Sequence, residues 1–311
     1  MGVKTATRQA YGEVLIELGN KHENLVVMDA DLSKSTMTAE FGKAFPDRFI
    51  NMGIAEQNLY GAAVGLAISG KVVCASTFAM FAAGRAFEII RNSIGYTKAN
   101  VKICATHAGI TVGEDGASHQ TFEDLALMRT IPGMLVINPS DSISAKKLLR
   151  QVVEINGPAY VRLGRVAVPN FYNEEDIIEI GKGNCIKDGN DITIIATGIM
   201  VSEAMAAAET LKNDGIDARV IDIHTIKPID KEILIKAARE TGLIVTAEEH
   251  SVIGGLGSAV AEVITQNSPV KMEMVGQMDT YGESGKPEEL KKKYGMNADS
   301  VAAACRRLLN K

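Results

Sequence analysis

Val101-Lys-Ile-Cys-Ala-Thr106 is a short, largely apolar run closed by His107 and then by the glycine-rich loop Gly109-Ile-Thr-Val-Gly-Glu-Asp-Gly116. A run of that length, ending in turn residues, reads as a buried strand. Outward from it, Leu25 to Met28, Val72 to Ala75, Leu135 to Ile137 and Tyr160 to Leu163 read the same way. The segments between them show helical spacing, as at Phe87, Ile90 and Ile94. A second alternation begins after Gly181-Lys-Gly183. There Ile192 to Ala196, Ala218 to Ile223, Leu243 to Ala247 and Lys271 to Val275 read as strands, and Val201 to Lys212, Lys231 to Arg239 and Ser258 to Thr265 as helices. The pattern predicts an α/β protein of two successive domains, 1–175 and 183–311, each a mainly parallel sheet with helices on both faces. The boundary falls between about Val168 and Gly183, where Pro169 and Glu174-Glu-Asp176 interrupt the apolar pattern.

Composition narrows the function classes. The chain has 311 residues, 46% hydrophobic and 23% charged, with a net charge of −5. It has no basic runs interleaved with aromatics, the footprint a nucleic-acid backbone requires. Its apolar runs are broken by Gly, Lys or Glu well short of the roughly 18 residues of a spanning helix. Cys74, Cys104, Cys185 and Cys305 are scattered without a C-x-x-C spacing, against a disulfide framework or a zinc site. With no signal-peptide pattern at the first helical segment, the expected setting is the cytoplasm.

Several motifs lead away from function. Asp29-Ala-Asp31-Leu-Ser33 with Glu40 resembles a calcium loop, but Lys34 replaces the glycine of its sharp turn. Gly255-Leu-Gly257 lacks the third small residue of a dinucleotide fingerprint and reads as backbone packing at a helix start. Among the histidines, His22, His224 and His250 stand apart from chemically suggestive neighbours and read as structural or solvent-facing. His107 and His119 bracket the 109–116 loop at the carboxyl end of a parallel strand, where α/β sheets bind ligands. The loop is expected to fold over a ligand and aim Asp115 inward, with both imidazoles suited to proton shuttling and hydroxyl recognition. Glu56 lies in an apolar, glycine-rich run from Gly53 to Gly70. There a carboxyl is expected to be partly desolvated, to hold a proton near neutral pH and to donate it to an aromatic ring nitrogen. Taken alone, Glu56 reads better as a helix-start acid offsetting the macrodipole, and the neighbouring motifs reverse that preference.

The joint pattern is more specific. Asn51-Met-Gly-Ile-Ala-Glu-Gln-Asn58, Ser76-Thr-Phe-Ala-Met-Phe81 and Gly113-Glu-Asp-Gly-Ala-Ser-His-Gln120 resemble the pyrimidine-binding domain of transketolases, and residues after about 185 resemble their C-terminal domain. The resemblance implies that Glu56 contacts the aminopyrimidine of thiamine diphosphate, and that Phe81 stacks on it with Phe78 alongside. It implies sugar contacts from His107, Asp115 and His119, with His107 and His119 also catalytic. Arg8, Ser35 and Arg165 fall on the family's substrate-phosphate site, where arginines donate bidentate, charge-assisted bonds. Gly84 departs from the family, standing where better-known members carry a tyrosine, so that wall is open or supplied by another chain.

The Gly-Asp-Gly signal of the diphosphate- and Mg2+-holding domain is absent. The resemblance therefore implies the C-terminal section of a split transketolase, with no metal on this chain, an N-terminal partner subunit holding diphosphate and metal, and an α2β2 assembly. Its substrates would be phosphorylated sugars exchanging a two-carbon ketol unit. Deoxyxylulose phosphate synthase shares Ile-Ala-Glu-Gln but carries Asp-Arg-Ala-Gly where this chain has Thr106-His-Ala-Gly109. The β subunit of 2-oxoacid dehydrogenases needs no sugar-phosphate clamp. A non-catalytic assembly subunit would have no use for Glu56 and the two histidines.

Overall fold

The computed structural model describes residues 4–310; residues 1–3 and 311, at the outer ends of the two expected domains, lie outside the described residues. A seven-stranded sheet runs in the order Thr225–Lys227, Leu135–Ile137, Ala159–Arg162, Val101–Thr106, Val72–Phe78, Leu25–Asp29, Phe49–Asn51. Every pairing in it is parallel except the first, which is antiparallel. A five-stranded sheet follows in the order Lys271–Gln277, Leu243–Ser251, Ile192–Ala196, Ala218–Asp222, Asn184–Lys187, parallel but for its last pairing.

Strand alternation decides the layers. Leu25 and Val27 enter one core with Tyr11, Val14 and Leu15 of the helix Thr7–Lys21, while Val26 and Met28 enter another with Leu59 and Tyr60 of Glu56–Ile68. Successive side chains point to opposite faces, so the sheet is buried on both. The helix Ser142–Glu154 starts where Asp141 accepts the Ser144 N–H at 2.8 Å. Lys231–Thr241 starts at Asp230 in the same manner and ends at Gly242, whose φ of +68° suits glycine.

The expected elements form, with two differences. The segment spaced by Phe87, Ile90 and Ile94 is helical but more widely wound, with π-helical turns at Phe81–Arg85 and Ile90–Tyr96 around a short α turn at Phe87–Ile89. Such turns accommodate an extra residue and collect at functional sites. Second, Thr225–Lys227 lies beyond the 170–183 crossing yet pairs with Leu135–Ile137, so it extends the first sheet. The crossing holds no helix or strand but is tied down, since Asp141 accepts the Phe171 and Tyr172 N–H groups and the Tyr172 hydroxyl donates to Asp222 at 2.9 Å. Ile221, Ile244 and Leu256 from beyond the crossing share a core with Val101 and Ile103, which packs the two sheets together.

Candidate active site

Glu56 is the first residue of its helix, and it is buried beside the positive helix end. Its hydrogen-bond partner is Arg85, whose Nη1 donates to Oε1 at 3.0 Å. Guanidinium can only donate, so Glu56 accepts in this contact. The same guanidinium lies over the Phe81 ring, 4.3 Å from its centroid. Phe81 is nearly parallel to Phe78, at 5.9 Å and 11°. Carboxylate, guanidinium and aromatic ring form one wall.

The second wall grows from the end of Val101–Thr106. His107 adopts a left-handed φ of +56°, an uncommon conformation that turns the chain sharply off the strand. Its ring is 3% exposed and stacks on Phe78 at 3.9 Å, with Thr106 Oγ1 2.9 Å from Nδ1. Burial, then the positive charges of Arg8 and Arg165 and the His119 ring, push the His107 pKa down to about 3. The ring is neutral at ordinary pH and can offer one donor and one acceptor. His119 meets Phe81 edge-on at 5.3 Å, with Ser118 Oγ 3.0 Å from its Nδ1. The two aromatics and two histidines thus form one continuous surface.

Asp115, expected to aim at a ligand, lies at the surface. It is exposed at the end of the helical turns Ile110–Asp115 and makes no hydrogen bond or ion pair among the described residues. The loop backbone is held from beneath: Glu249, 3% exposed, accepts the Thr111 N–H at 2.6 Å, and Gln120 Nε2 donates to the Ile110 and Glu283 carbonyls at 3.3 and 3.0 Å. A Cβ on Gly109 would come within 2.3 Å of the Glu249 carboxyl, so that contact requires glycine.

Arg8, Ser35 and Arg165 do come together. Arg8 donates from Nη1 to the Ser35 carbonyl at 2.7 Å and from Nε to the Arg165 carbonyl at 3.3 Å. Arg165 donates to the Val112 carbonyl and pairs with Glu114 at 2.8 Å. Burial and the neighbouring Arg165 lower the Arg8 pKa, as expected of two guanidiniums sharing a small space. An anion placed between them would relieve that repulsion.

Sequence reasoning missed Arg85, Glu249 and a buried cluster under the loop. Asp124 is fully buried and accepts from Arg162 Nε at 2.8 Å and from the Tyr160 hydroxyl at 2.7 Å, while Arg162 Nη2 reaches the Glu249 carbonyl at 2.8 Å. His250, read from the sequence as structural or solvent-facing, is fully buried 3.6 Å from Glu248 and 4.0 Å from Asp124. His224 is buried too, with Nδ1 3.0 Å from Thr225 Oγ1. The adjacent Glu248-Glu249 pair was the available signal. At Gly255-Leu-Gly257 the Glu248 carboxylate accepts the Leu256 and Gly257 N–H groups at 2.6 and 2.8 Å, taking the helix start that a nucleotide phosphate would use.

Two α/β sheets packed together thus carry an acid–aromatic wall that continues into two histidines. Residues 3–170 match the model of the transketolase pyrimidine-binding domain, and residues 181–301 that of the transketolase C-terminal domain. The chain belongs to the transketolase family. It is 56% identical, over 97% of its length and 95% of the relative's, to a Methanocaldococcus jannaschii protein named as a transketolase C-terminal section. It is 41% identical, over 96% of its length and 92% of the relative's, to a 6-deoxy-6-sulfo-D-fructose transketolase subunit of Clostridium sp. strain MSTE9. A solved structure described as a split-gene transketolase in an inactive beta4 tetramer superposes with a TM-score of 0.92 at 55% identity, covering 98% of both chains.

Proposed function

We propose that this chain is the C-terminal subunit of a split transketolase that moves a two-carbon ketol unit from a ketose phosphate to an aldose phosphate once an N-terminal subunit completes the site. The observation that carries the reading is the flat Arg85 guanidinium bonded to Glu56 and stacked over Phe81. An aminopyrimidine has the same two attributes, planarity and N–H donors, so the wall suits the pyrimidine end of thiamine diphosphate. When bound, thiamine diphosphate supplies the electron sink that allows a carbon–carbon bond beside a carbonyl to break.

Glu56 would hold a proton between its carboxyl oxygen and the ring nitrogen, and Phe81 would stack on the ring with Phe78 behind it. His107, neutral by its burial, and His119 would orient substrate hydroxyls and pass protons, and Asp115 would read a sugar hydroxyl from the loop edge. Arg8, Ser35 and Arg165 would hold the distal phosphate, and binding energy at that end positions the reacting carbons. The diphosphate and Mg2+ are assigned to the partner subunit, in a cytoplasmic α2β2 assembly. A clamp of two arginines recognises any tetrahedral oxyanion. Likeness to the sulfofructose enzyme's subunit favours a sulfonated sugar as a second substrate class.

The test is a titration of thiamine diphosphate with Mg2+ into this chain alone and with the partner, followed by a ketol-transfer assay. Weak binding without turnover alone, and saturable binding with turnover in the complex, are expected. Tight, Mg2+-dependent binding by this chain alone would sink the divided site. Binding in the complex without transfer would point to an assembly subunit.

A further inference from the structure

We propose that Arg85 is a built-in occupant of the pyrimidine seat, a gating residue that swings aside when cofactor enters. The inference rests on the transketolase reading of the Glu56–Phe81 wall. One side chain meets both groups assigned to the pyrimidine: its Nη1 donates to Glu56 at 3.0 Å, and its Cζ sits 4.3 Å from the Phe81 centroid. Guanidinium and aminopyrimidine are both flat, delocalised and N–H-bearing, so they compete for one carboxylate and one ring.

The backbone sets the reach. Arg85 closes the π-helical turn Phe81–Arg85, and its carbonyl accepts Gln57 Nε2 at 3.1 Å, tying this corner to the first turn of the Glu56 helix. Gly84, next to Arg85, has no side chain, and a Cβ there would meet Met80 Cε at 2.8 Å. The clasp is asymmetric: the Glu56 side chain is 6% exposed and that of Arg85 52%. The acid is fixed in the wall, whereas the cation has solvent to move into. Arg85 is also the sole hydrogen-bond partner of the Glu56 carboxylate among the described residues, so removing it without a replacement would strand a buried charge. The gate therefore protects Glu56 in the empty chain and yields only to a group that restores its hydrogen bond.

The test uses the full chain and 4-amino-5-hydroxymethyl-2-methylpyrimidine, an uncharged probe of the seat alone, followed by calorimetry. Arg85→Ala and Arg85→Met should each bind it about ten times more tightly than wild type. Raising the salt concentration should tighten probe binding in wild type by screening the Glu56–Arg85 pair, and leave both variants unchanged. A merely structural arginine would not produce that salt dependence. In a double-mutant cycle the gain from Arg85→Ala should shrink in a Glu56→Gln background, where the neutral amide holds the guanidinium more weakly. Equal affinities in wild type and variants, or weaker binding in the variants, would overturn the gate while leaving the pyrimidine site standing. No binding of the probe to any of these proteins, or of thiamine diphosphate to the partnered complex, would overturn the cofactor reading and the gate with it.

Discussion

The His107 imidazole lies stacked on the Phe78 ring, 3.9 Å between centroids and 22° from parallel, at the point where the chain leaves its strand in a left-handed turn. The stack joins the acid–aromatic wall to the substrate loop. It also keeps the imidazole out of water, which disfavours its charged form.

The first prediction is a titration. His107 should protonate in the folded chain at about 3, far below the ordinary imidazole value of 6.5. Burial is the larger cause and the Arg8 and Arg165 charges the next, so Arg8→Ala or Arg165→Ala should raise the value without restoring it fully. The lowered value also bears on stability. Above about 6.5 the ring is neutral folded or unfolded, and its contribution is complete; as pH falls toward about 3 the unfolded chain takes up a proton that the folded one refuses, and stability is lost. NMR of labelled imidazole carbons reads the midpoint; a His107 titration near the ordinary value would remove the desolvated-ring account.

Glu56→Gln should preserve the fold, because the amide oxygen can still accept from Arg85. It should nevertheless slow cofactor activation by about 10²–10⁴-fold, the usual range for a lost general acid–base group. Deuterium exchange at the reactive thiazolium carbon in the reconstituted complex is the readout. An unchanged exchange rate would discard the role.

The clamp predicts a dependence on substrate. Arg8→Ala or Arg165→Ala should each remove charge-assisted bonds of about 1.5–3 kcal/mol, roughly a ten- to hundredfold loss in kcat/KM for a phosphorylated acceptor. An unphosphorylated short aldehyde never reaches the clamp and should lose little. Equal losses with the two acceptors would instead indicate general damage and revive the 2-oxoacid reading.

Stability should depend on Arg162. Asp124 and Arg162 are 0% and 3% exposed and joined at 2.8 Å, and Arg162 also bonds the Glu249 carbonyl across the two sheets. Arg162→Ala would leave a buried, uncompensated carboxylate and should cost about 3–5 kcal/mol, measured by urea denaturation. A loss below about 1 kcal/mol, the scale of exposed pairs, would show that the cluster is hydrated.

Much of this molecule could be read from the chain. Val72–Phe78 and Val101–Thr106 are buried on both faces, so they are apolar almost throughout, and the strands around them announce themselves by the same local composition. Three motifs and their order carried the family, and with it the gathering of Glu56, Phe78, Phe81, His107 and His119 on one surface. Local patterning determined these features because strand burial and helix spacing are periodic within ten residues.

What only the tertiary structure decided lies between residues far apart in the chain. Arg85 meets Glu56 across 29 positions, Glu249 meets Thr111 across 138, and Thr225–Lys227 completes a sheet that begins some two hundred residues earlier. No local periodicity encodes those meetings. Nor could the loop motif say that Asp115 is exposed, or that its backbone is tied to Glu249 and Gln120 from distant parts of the chain. Charge pairing and loop position follow from which surfaces the folded sheets bring within hydrogen-bonding distance, roughly 3 Å, away from competing water.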